Sequence, residues 1–124
     1  MRNQFPGNVE SAVNALVRGY QEETNLYLAM RRLTLSQKEM LANGEDLAWI
    51  WDILDAKEDL LKMIEEIEGT MAQAKAVVLS QAPETCPDRW KLTTLLDRLT
   101  EIIEELRILE NGNAALLRKR PQAG

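Results

Sequence analysis

The chain has 124 residues, 45% of them apolar and 28% charged, with a net charge of −5 and one cysteine, Cys86. That length suits one domain able to bury a core without metals, and a single cysteine excludes an intrachain disulfide framework. The acidic balance argues against nucleic-acid binding, which needs clustered Lys and Arg. The absence of histidine removes the commonest general base.

Pro6-Gly7-Asn8 reads as a breaker followed by a capping residue. From Val9 to Ala42 no proline occurs, and only Gly19 interrupts. Apolar residues recur three and four apart, at Val13, Leu16, Tyr20, Tyr27, Met30 and Leu33, the pattern of an amphipathic helix. This stripe drifts backward along the helix, as a repeat near 3.5 residues does, which favours supercoiled packing.

Asn43-Gly44 ends the first helix, with glycine suited to a left-handed cap, and Asp46 can cap the next. The second helix runs to about Gln81, with Ile50, Ile53, Leu54, Leu60, Leu61, Ile64, Ile67 and Met71 on its apolar arc. Trp49 falls on that arc and is expected in the core. Trp51, two residues on, falls outside it among Asp55, Glu58 and Lys62. Residues 45–82 hold nine acidic and three basic groups, a net charge of −6, read most simply as a solvated face.

Residues 82–87 form the second connection, with Thr85 or Cys86 as cap and Pro87 at the first helical position. The third helix continues to about Lys119 on a stripe that includes Leu92, Leu96, Leu99, Ile102, Ile103 and Leu106. Arg118, Lys119 and Arg120 complement its negative end, and Pro121 stops it.

The expected fold is all-α, one domain over 1–124, with helices near 9–42, 47–81 and 87–119. Short connections make consecutive helices antiparallel, giving an elongated antiparallel three-helix bundle with coiled-coil-like packing. The longest apolar run, Leu47–Trp51, is far too short for a membrane span, and the N-terminus has no apolar core of signal-peptide length. A cytoplasmic protein without membrane insertion is expected.

Little in the chain points to catalysis, and no cofactor or metal is expected. The carboxylate clusters fall on polar faces, and no Gly-rich phosphate loop occurs. An all-α enzyme that holds a dicarboxylate between its helices, as helical chorismate mutases do, needs interior cations. Here only Lys57 falls within a stripe. Glu23, Thr34, Lys57, Glu68 and Asn113 interrupt the seams, and register control or snorkelling accounts for most of them.

Several apolar residues lie off the stripes: Leu28 and Leu35 on the first helix, Trp51 on the second, Ile108 and Trp90 on the third. In an antiparallel bundle Leu35, Trp51 and Ile108 come to one end, near Leu116 and Leu117. A contiguous exposed patch marks an interaction site. It serves a partner, a homodimer, or simple packing over the bundle end.

Three stretches resemble the small flagellar type III export chaperones, the FlgN-like and related FliT-like families. They are Leu35–Leu47 (LSQKEMLANGEDL), Asp55–Ile67 (DAKEDLLKMIEEI), similar to the family's Lys-x-x-Leu-Leu stretch, and Leu109–Leu117 (LENGNAALL), similar to its Asn-rich segment before Leu-Leu. Little sequence follows Lys119 to form the fourth helix of the FliT-like plan, which favours the FlgN-like side. The resemblance implies a non-enzymatic cytoplasmic chaperone. Its client would be the C-terminal helical segment of a hook–filament junction or filament cap protein, delivered to the export apparatus. Carried over by motif, the client-binding positions would be Leu109, Asn113, Leu116 and Leu117. The off-stripe reading adds Trp51, Leu35 and Ile108. The competing reading is a non-enzymatic helical dimerisation or regulatory binding module.

Overall fold

A computed structural model describes residues 9–81 and 89–119, and every element in them is a helix: α1 (Val9–Ala42), α2 (Leu47–Gln81) and α3 (Arg89–Lys119). The bounds agree with those read from periodicity, apart from residues 87 and 88. Those two, the caps assigned to Asn8, Thr85 and Cys86, and the stop at Pro121 lie outside the described residues. Among the described residues no helix is long and apolar enough to cross a membrane.

The α1–α2 turn forms as its residues dictate. Gly44 takes φ 68°, a conformation costly for residues with a Cβ. The Glu45 amide donates to the Met40 carbonyl at 2.9 Å and the Gly44 amide to the Leu41 carbonyl at 3.3 Å, the paired bonds of a Schellman motif. Asp46 then caps α2, its Oδ1 accepting from the Ala48 amide at 3.0 Å. The turn therefore reverses the chain and satisfies orphan backbone groups of both helices.

Helix α1 packs against both α2 and α3. By contrast, no Cα of α2 comes within 8 Å of a Cα of α3 among the described residues. The bundle is thus built around α1. Its core forms two apolar clusters. The larger joins Val13, Leu16 and Tyr20 to Met71, Ala74 and Val78 of α2 and to Leu92 and Leu99 of α3. The smaller joins Met30, Ile64, Ile102 and Leu106. Leu28, expected off the stripe, is half-buried against the smaller cluster.

Close approach of α1 and α2 depends on Gly19. A Cβ there would meet Met71 Sδ at 2.1 Å and Cγ at 2.8 Å. The missing side chain is the socket for a buried methionine.

A polar node lies on α1 between the clusters' buried members. Glu23 is 2% exposed, and its Oε2 meets no donor. Its carboxyl faces Glu68, which pairs with Lys75, and the Lys75 ammonium lies 5.7 Å from the Tyr20 ring centre. Burial, first, and the Glu68 hydrogen bond push Glu23 up to about 8. The same bond from Glu23 holds Glu68 below the usual carboxylate range, and Lys75 adds to that effect. Lys75 is raised in turn, chiefly by its bond to Glu68. The node is a carboxyl donating to a carboxylate, with one ammonium alongside.

Two predictions follow from this packing. Gly19→Ala should destabilise the fold by about 1–3 kcal/mol through overpacking, although alanine favours a helix over glycine by about 1 kcal/mol. Adding Met71→Val should recover most of the loss in chemical denaturation. The second concerns pH. Glu23's folded pKa lies above its ordinary 4.5, so its contribution is complete below 4.5 and disappears as pH rises to about 8. Glu68 is shifted the other way, so its contribution is lost as pH falls through its folded value. Tm should therefore be highest in mildly acidic solution and fall toward pH 8, and Glu23→Gln should flatten that fall.

Candidate binding surface

The separation of α2 from α3 leaves a groove floored by α1. Seven-residue lines of side chains border it. On α2 the line is Leu47, Leu54, Leu61, Glu68 and Lys75; on α3 it is Leu96, Ile103, Glu110 and Leu117. Leu47, Leu61, Leu96, Ile103 and Leu117 are all exposed to water. Heptad lines of this kind close against each other in a coiled coil. Here each line carries charged members, and closing it dry would bury them at a cost. At the end near the start of α3, the groove holds a cavity of about 340 Å³ lined by Leu16, Tyr20, Lys75, Leu79, Leu92 and Leu96, among others.

Among the described residues a polar strut crosses from α2 to α3. Lys57 is 6% exposed, and its Nζ donates to Gln37 Oε1 on α1 at 3.2 Å and to Glu110 Oε1 on α3 at 2.6 Å. The lysine does not snorkel to the surface. It ties three helices at one level. Next to it, Asn113 Nδ2 donates to the Thr34 carbonyl at 3.1 Å, and Thr34 Oγ1 donates to the Met30 carbonyl at 2.8 Å. Asn113 Oδ1 has no donor. Gln37 belongs to this layer and was absent from the expected seam. Its spacing of three from Thr34 and four from Leu41 was the available signal.

The structure distributes the expected site residues over different faces. Leu35, Ile108 and Leu109 do come together, with Arg31 and Glu105, in a shallow apolar groove between α1 and α3. Arg31 and Glu105 bridge it at 3.1 Å. Trp51 and Leu117 are exposed and belong to the α2–α3 side. Leu116 is half-buried. Asn113 joins neither surface: at 2% exposure it is a buried interhelical contact.

Trp49 stands outside the core. Expected in the core, it is 59% exposed, close to the 63% of Trp51. The buried line at the start of α2 is Ile50, Ile53 and Lys57. Trp49 is turned about 100° from Ile50, on the first turn of the helix. Leu61, Leu96 and Ile103, expected within the core stripes, stand instead along the open groove. Periodicity found their face of the helix but not that one neighbour is missing from it.

Among the described residues, no group of three or more acidic or cysteine side chains is placed to hold a metal. In comparisons with protein-family models, curated proteins and solved structures, nothing matches this chain.

The Lys57 strut has a testable asymmetry. Glu110→Ala leaves a buried ammonium short of its anion and should cost on the order of 2 kcal/mol in denaturant unfolding. Lys57→Met removes the buried charge itself and should be close to neutral.

Proposed function

We propose that the chain is a non-enzymatic helix-binding chaperone of the flagellar export kind, acting in the cytoplasm on a C-terminal helical segment of a hook–filament junction or filament cap protein. The observation that carries the reading is the open groove between α2 and α3. Helix α1 has a neighbour on each of two faces, while among the described residues the backbones of α2 and α3 stay apart and the Lys57 strut links them. This is the arrangement of three corners of a four-helix bundle. An amphipathic helix laid along Leu54, Leu61, Ile103 and Leu117 would occupy the fourth corner and cover apolar surface now in water. The resemblance of the three sequence stretches supplies the kind of client, and the export apparatus is then the second partner.

A second reading is favoured by the other groove. Leu35, Ile108 and Leu109 form an apolar strip on a different side of α3, suited to self-association. In that case the protein is a homodimeric or regulatory helical module.

Co-expression with candidate hook–filament junction proteins tests the first reading. A soluble complex of defined stoichiometry is expected. A stable dimer that recruits none of them would support the second. Trp51→Ala should weaken client binding by about 1–3 kcal/mol, the size of a modest hot spot, with little change in Tm. A large fall in Tm with unchanged binding would remove Trp51 from the site.

A further inference from the structure

Outside their leucine lines the two borders of the α2–α3 groove carry opposite charge, while within the lines Glu68 pairs with Lys75 and Glu110 with Lys57. One helical step outward from the α2 leucine line stand Trp51, Glu58 and Glu65, four residues beyond Leu47, Leu54 and Leu61 and rotated about 40° from them. One step outward from the α3 line stands Arg107, four beyond Ile103, and Arg118 lies beside Leu117 on that same border. Trp51, Glu58, Glu65, Arg107 and Arg118 are exposed. Lys62 pairs with Glu58 at 3.6 Å, and Glu104 pairs with Arg107, but each of these partners stands a further step away from the groove. A helix in the groove would meet an acidic edge on one side and a basic edge on the other.

This inference rests on the groove being a helix site. We propose that the helix it receives comes from another polypeptide and is charged along both edges, Lys or Arg facing α2 and Asp or Glu facing α3, so that charge fixes the direction in which it lies. The geometry resembles a coiled-coil seam, where apolar positions supply affinity and flanking charges choose partner and orientation. A second copy of the chain is a poor occupant, because each of its helices is already packed in its own bundle. Reversing a bound helix exchanges its two edges, so a helix with one basic and one acidic edge fits in one direction only. A helix with like charge on both edges meets repulsion whichever way it lies.

Designed three-heptad peptides with a leucine stripe, each confirmed monomeric, test the proposal on the full-length chain. One carries Lys on one edge and Glu on the other, a second has the edges exchanged, a third has Lys on both and a fourth Glu on both. The two mixed peptides should bind roughly tenfold more tightly than either uniform one at low salt, an advantage that shrinks as salt screens the edges. A nitroxide on the peptide N-terminus should broaden the indole N–H signal of Trp51 with one mixed peptide and that of Trp90 with the other. In the quadruple variant Glu58→Lys, Glu65→Lys, Arg107→Glu, Arg118→Glu the two patterns should exchange.

Equal affinity for all four peptides, lost in Leu61→Asp, would overturn the charge inference and leave the groove standing. Binding by none of them, or binding unaffected by both Leu61→Asp and Ile103→Asp, would overturn the groove itself. Protection of Leu61 and Ile103 by a dimer of the chain, seen by sedimentation and hydrogen exchange, would replace both with a second copy.

Discussion

The structure depends on one helix being shared. Helix α1 supplies packing surface to α2 on one side and to α3 on another, while the backbones of α2 and α3 stay apart among the described residues and a lysine strut links them. A three-helix bundle normally closes all three of its interfaces. Leaving one open concentrates the cohesion of the fold in α1, where Gly19 receives Met71 and Glu23, Thr34 and Gln37 are buried. It also sets the character of the third interface. Apolar side chains are present along it at the right spacing, but Glu68, Lys75 and Glu110 interrupt them, so it stays wet.

The buried polar groups have a consistent logic. An all-leucine interior would allow α2 and α3 to slide by a turn against α1 at small cost. The Lys57–Gln37–Glu110 contact and the Asn113–Thr34 bond can form at one level only, and they fix the stagger of all three helices. Glu23 and Glu68 do the same for α1 against α2 farther along. Such groups contribute little net stability, but each penalises the wrong register, since a slip would leave a buried ammonium or carboxyl without its counterpart. The groove that results has fixed walls.

Much of this was legible in the sequence, for local reasons. Helix bounds follow from Asn43-Gly44, from Asp46 and from proline-free stretches, and each of those signals acts within a few residues. The exposure of Leu35, Trp51 and Ile108 was legible because all three fall far from an apolar arc. Which arc residues lack a neighbour was not. Leu61, Leu96 and Ile103 look the same in a helical projection as Ile64, Leu99 and Ile102, and only the arrangement of three whole helices separates them. Trp49 misled for a related reason: the buried line turns slowly around α2, and an angle averaged over the helix misplaces a residue on its first turn. Asn113 was legible as a seam residue, and only the carry-over by resemblance made it a client contact; nothing in the sequence identifies the Thr34 carbonyl that receives its amide.

The three tryptophans have an optical consequence. Trp49, Trp51 and Trp90 are 59%, 63% and 63% exposed, so every indole in the chain already stands largely in water. Native emission should lie close to that of the unfolded chain, and intrinsic fluorescence will scarcely register denaturation, which circular dichroism will follow well. For the same reason the background is dark where it matters. With no buried indole to mask it, a blue shift on mixing with another protein would report directly that an exposed tryptophan had been covered.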